Sequence, residues 1–173
     1  MDEHHDIVMR ARLAAGEGTR LYFAYSTILD RPAFEEWRAQ HGYTFFELPQ
    51  GKVAEAVDVA LTYDFPSRWW GGRVAGLAAS PGSSVWGRVF EVREKDWPIV
   101  QHKEGGVTGM SVERPVTVRL DGATVEATAF ATNPDRASKD GPVSRKFVEA
   151  LSRGAKSAGL PPEWVSALER AEG

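Results

Sequence analysis

Glu104 lies in Lys103-Glu104-Gly105-Gly106-Val107-Thr108-Gly109-Met110, a carboxylate set among glycines just before a strand-like run. A carboxylate whose surroundings raise its proton affinity can take and return a proton. Glycines beside it crowd nothing, so the backbone-sized atoms of a ligand have room to approach. The competing account is an exposed glutamate in a turn, and the octapeptide alone admits both. Other chemistry-bearing residues fit a site less well. Ser26 and Ser84 have no recognisable His and Asp arrangement to activate a hydroxyl. Gly71-Gly72 and Gly105-Gly106 lack the Lys-Ser/Thr ending and the three-glycine fingerprint of phosphate loops. His4 and His5 sit in an N-terminal stretch without pattern, and His41 and His102 are isolated, so no metal site is expected. Arg73 and Arg88 are candidates to meet a carboxylate ligand, and Trp69-Trp70 reads as core or rim packing more readily than as a stacking platform.

The elements that must position Glu104 can be read on both sides of it. Leu21-Tyr22-Phe23-Ala24-Tyr25 has the aromatic character of a buried strand. Asp30 followed by Pro32 supplies a cap and a first-turn proline for a helix to about Gln40. Alternating apolar residues from Val57 to Phe65 predict a strand with one buried face. Val74–Ala79 and Val85–Val92 read as two further strands separated by a turn at Ser80-Pro81-Gly82-Ser83. A short helix carrying Trp97 inward is expected between Glu94 and His102. Asp121-Gly122 between alternating runs is the strongest hairpin signal in the chain. Helices over 143–158 and 163–171 close the sequence, while residues 1–19 read as a mobile or peripheral arm before a domain spanning 20–173. Strands first and helices last predict an α+β domain with a curled sheet.

Composition narrows the function. The 173 residues carry a net charge of -3 with no basic footprint, which speaks against nucleic-acid binding. The absence of cysteine excludes disulfides, thiolate metal sites and a cysteine nucleophile. No apolar run approaches a membrane span, and the acidic, polar start is unlike a signal peptide, so a cytoplasmic location is the expectation.

Four segments together resemble the γ-glutamylcyclotransferases. They are Leu21–Tyr25 with Leu29; Trp70-Gly71-Gly72 with Ser80-Pro81-Gly82 and Val85-Trp86-Gly87; Glu104-Gly105 with Gly109-Met110; and Gly154-Ala155-Lys156 with Gly159-Leu160-Pro161. The resemblance implies a small mixed β-barrel with flanking helices and an enzyme that releases 5-oxoproline and an amine from a γ-glutamyl amine, amide or peptide. It also implies Glu104 as general acid/base and no metal or other cofactor. The substrate would be held by Tyr25, Ser26, Thr27, Ile28 and Leu29 in the loop after the first strand, with Gly105 and Ser111 beside the glutamate. A non-catalytic member of the same fold, binding a small amino-acid-like ligand, is the alternative. Ser26-Thr27-Ile28 stands where the family has Gly-Ser-x, placing side chains where a positive φ and an open pocket are expected. Ser111 and Phe130 stand where the family often has tyrosines.

Overall fold

The computed structural model describes residues 3–171. Five strands close into a barrel, β1 (Thr19–Ala24), β2 (Lys52–Ser67), β3 (Gly72–Arg93), β4 (Ser111–Leu120) and β5 (Ala123–Thr132), in the order β1-β3-β2-β4-β5. Neighbours are antiparallel except at the closing seam, where β1 and β5 run parallel through the pair Tyr22 and Thr128. The helices are α1 (Glu3–Ala14), α2 (Arg31–His41), α3 (Trp97–Lys103), α4 (Arg145–Ser157) and α5 (Pro162–Glu169), with a 3-10 turn at Thr27–Leu29. The α+β class and the curled sheet expected from element order are both present. None of the described helices is long and apolar enough to cross a membrane.

Period-two alternation sorts the side chains. On β1, Phe23 joins an alanine- and valine-rich barrel interior with Ala54, Ala56, Val85, Val118 and Ala129. Tyr22 and Ala24 face outward into a second cluster beneath α1, α2 and α3. A third cluster packs α4 and α5 on β3 through Val74, Phe147, Leu151 and Leu168. Asp30 caps α2 by accepting from the amide of Ala33 at 3.3 Å, as its position before Pro32 predicts. Asp121 and Gly122 turn the β4–β5 hairpin at φ of 50° and 78°.

Two expectations change. Ser80-Pro81-Gly82-Ser83 does not divide two strands. The pairs Val57–Ser84 and Val59–Ala79 flank it, so these residues form a wide bulge opposite Asp58 within one 22-residue strand. The carboxylate of Asp58 accepts from the amide of Gly82 at 2.9 Å, supplying the partner that turn residues usually find within a turn. The N-terminal stretch is a docked helix. Its periodicity is weak because Val8 is its only buried residue, yet Arg12 forms a 2.8 Å ion pair with Asp96 and the ring of His5 stacks on Tyr43.

Candidate active site

A cavity of about 830 Å³ opens where α3, the 3-10 turn, and the start of β3 converge, with Glu104 in its wall. Glu104 is the C-cap of α3, and its amide donates to the carbonyl of Val100 at 2.9 Å. The following turn is pinned by two amides, Met110 and Ser111, both donating to the carbonyl of Gly105 at 3.0 and 3.1 Å. The hydroxyl of Ser111 donates to the Glu104 carbonyl at 2.7 Å. The backbone of Glu104 is thus fixed from both sides, with Ser111 as the closing bond of the turn.

Part of the room left by the glycines is used by the protein itself. Gly105 has φ of 88°, and a Cβ there would lie 3.0 Å from the ring of Phe65. That ring follows the second register shift between β2 and β3, at Tyr63-Asp64. Glycine at 105 therefore serves packing of the turn, and it also lines the cavity beside Glu104.

Among the described residues the carboxylate has one direct hydrogen-bond partner. Tyr22, buried on β1 and ringed by Trp97, Phe130 and Phe90, donates its hydroxyl to Glu104 Oε1 at 2.8 Å. Burial raises the Glu104 carboxyl above the ordinary carboxylate range, while the Lys103 charge and the Tyr22 bond oppose that rise. Burial and the neighbouring Glu104 charge push the Tyr22 phenol well up, so it stays a neutral donor. A carboxyl with a raised folded-state pKa favours the folded state when protonated and opposes it when ionised. Glu104→Gln is therefore expected to melt at a higher temperature than the native chain at neutral pH. The difference should disappear as pH falls below the ordinary carboxylate range, where both side chains are neutral. Thermal unfolding at several pH values checks this, and a Gln variant that melts lower at pH 7 would contradict it.

The turn after β1 is placed as follows. Tyr25, Ser26 and Thr27 line the cavity, whereas Ile28 and Leu29 line a separate groove beside Phe34 and Arg88. Tyr25 donates its hydroxyl to the Phe130 carbonyl at 2.5 Å. Ser26 is extended at φ -114° and Thr27 begins the 3-10 turn, so neither requires the left-handed conformation that the family's glycine implied. The amides of Ser26 and Thr27 meet no acceptor among the described residues. Phe130, in place of a tyrosine, stacks on Trp97 at 5.6 Å and belongs to the packing around Tyr22.

Several residues of the site were not singled out in the sequence. Tyr22 read only as core, and nothing local marks its approach to a glutamate 82 positions away. Lys103 lines the cavity, with burial lowering its proton affinity against the pull of Glu104. Arg73 is buried in the cavity wall and donates to the carbonyls of Gly141 and Tyr63, without a carboxylate partner among the described residues. Arg88 likewise donates to the carbonyls of Gly51 and Ala158. The histidines isolated in sequence converge: the rings of His4 and His41 lie 5.8 and 5.1 Å from that of His102. They do not form a metal-ligating group among the described residues. Trp69 and Trp70 are at the rim, with Trp70 packed edge-on against Phe147.

The sequence and the fold have known counterparts. The AIG2-like family matches residues 84–168, a stretch that contains Glu104 but not the Tyr25–Leu29 turn. A γ-glutamylcyclotransferase of Bos taurus is 29% identical over 164 residues, covering 88% of this chain and 78% of that protein. A γ-glutamylcyclotransferase of Homo sapiens is 31% identical over 108 residues, covering 61% of this chain and 55% of its own length. Among solved structures, a γ-glutamyl cyclotransferase superimposes with a TM-score of 0.71 at 26% identity, over 89% of this chain and 88% of the other. The shared barrel, the matched segment around Glu104 and these relatives agree: over most of its length the chain is similar in sequence and in fold to γ-glutamylcyclotransferases.

Proposed function

We propose that the chain cyclises γ-glutamyl compounds, releasing 5-oxoproline and an amine, with Glu104 as the proton-transfer group. The observation that carries this reading is a half-buried carboxylate in the cavity wall, raised in proton affinity and aimed by the hydroxyl of Tyr22. Glu104 takes a proton from the substrate's α-ammonium. The freed amine attacks the γ-carbonyl carbon, and the unpaired amides of Ser26 and Thr27 face the developing oxyanion. The bond to the departing nitrogen then breaks as Glu104 returns the proton to it, and the ring nitrogen gives up its second proton to the departed amine, which leaves as an ammonium. Because the attack is intramolecular, folding the glutamyl chain in the cavity supplies a large part of the acceleration. The test is release of 5-oxoproline from a panel of γ-glutamyl amines, amides and peptides. Binding of these compounds without release would favour the non-catalytic alternative.

Tyr22→Phe probes the aiming hydroxyl. The bond favours the ionised carboxylate, so its loss should move the acid limb of the pH–rate profile to higher pH and lower the rate at neutral pH. An unmoved limb would show that Glu104 is not the group titrating in that limb.

A further inference from the structure

Lys103 adjoins Glu104 and lines the same cavity, yet it forms no ion pair with any carboxylate among the described residues. Its Nζ donates to Thr27 Oγ1 across a long 3.4 Å and stands 6.0 Å from the centre of the Trp37 ring. An ammonium has three donors, and drawing it from water without a carboxylate bonded directly to it is costly. One long bond and a ring face leave that demand largely unmet. The hydroxyl of Thr27 accepts from Lys103, so its own proton is available to a ligand. This contact also falls where the chain departs from the family's pattern: Thr27 is in the altered turn, and the cation reaches that turn from α3.

We propose that Lys103 and Thr27 seat the α-carboxylate of the glutamyl group, making Lys103 the residue that selects γ-glutamyl compounds over their decarboxylated 4-aminobutyryl counterparts. The assignment rests on the cyclisation reading for the identity of the ligand. In such a ligand the α-carboxylate and α-amine share one carbon, so their seats must adjoin. Lys103 and Glu104 are consecutive residues in one cavity wall and meet that requirement. A carboxylate at Lys103 adds a directly paired anion to the charge of Glu104, favouring the charged form that burial opposes.

The test is calorimetric titration with L-5-oxoproline, which keeps the carboxylate, and with its uncharged carboxamide. The native chain should bind the acid at least about tenfold more tightly than the amide, since hydrogen bonds to charged groups are worth roughly 1.5–3 kcal/mol. Lys103→Gln should abolish that preference, and Lys103→Arg, which keeps the charge, should retain part of it. In turnover, Lys103→Gln should raise KM for γ-glutamyl amides more than for 4-aminobutyryl amides, any change common to both reporting the lost Lys103 charge beside Glu104. Equal binding of acid and amide by the native chain, no binding of the acid, or an undiminished preference in Lys103→Gln would overturn the seat. Acid binding that depends on Lys103, in a protein that releases no 5-oxoproline from any γ-glutamyl compound, would uphold the seat and remove the cyclisation.

Discussion

Glu104→Gln is expected to lower the rate of 5-oxoproline release by about 10²–10⁴-fold, the usual contribution of a positioned acid or base. Glutamine keeps the length of the side chain and an oxygen able to accept from Tyr22 Oη–H, so the 2.8 Å contact can persist while the base is lost. The cavity should keep its shape. The same substitution is expected to raise the melting temperature at neutral pH, because it removes an ionised carboxylate from a site where burial penalises charge. Opposite signs for rate and stability are the mark of a group held against its solvation preference for the sake of chemistry. Steady-state assays and melting curves on the same preparations decide the matter. Near-native turnover in the glutamine variant would remove Glu104 from the mechanism, whatever the melting curves show.

What the sequence could convey about this site depended on how local each feature was. Asp30 with Pro32, Asp121-Gly122 and the glycine-flanked Glu104 are each defined within a few residues, and the helix cap, the hairpin and the turn appear where those residues place them. The continuity of β3 was not legible because Ser-Pro-Gly-Ser satisfies every local rule for a turn. The partner that makes it a bulge, Asp58, is 24 residues away. Helix α1 was missed for a related reason: one buried valine gives no periodicity, and its anchors are a carboxylate on the approach to α3 and a tyrosine after α2. The turn after β1 shows the reverse error. A left-handed residue was inferred from the family's glycine, whereas Ser26 is extended and Thr27 opens a 3-10 turn. The pairings of Tyr22 with Glu104 and of Lys103 with Thr27 exist only once the barrel closes and α3 lies across it.

That dependence on packing makes Gly154→Ala the second large effect, though the residue lies outside the cavity wall. Gly154 is inside α4, and a Cβ there would come within 2.7 Å of the amide nitrogen of Asp30, 3.0 Å of its Cα and 3.0 Å of the Leu29 carbonyl carbon. All three are backbone atoms, so no side chain can swing away, and either α4 or the 3-10 turn must move. The turn is held to α4 at this point by the paired bonds of Arg153 to Asp30, 2.9 and 2.7 Å long, so displacement passes to Ser26 and Thr27. Misplacement of positioning groups by about 1 Å costs on the order of 10²-fold, and a shift of a few tenths of an ångström should cost about tenfold or more. Stability should fall by about 1–3 kcal/mol from overpacking. Helix propensity alone would favour alanine over glycine by about 0.8–1.0 kcal/mol, so the two effects have opposite signs and one melting curve separates them. Gly16→Ala, where a Cβ would meet nothing within 4 Å, is the matched control and should change neither quantity. A Gly154→Ala protein that is destabilised yet turns over at the native rate well below its melting temperature would show that the 3-10 turn does not position the substrate, and the roles assigned to Ser26 and Thr27 would fall with it.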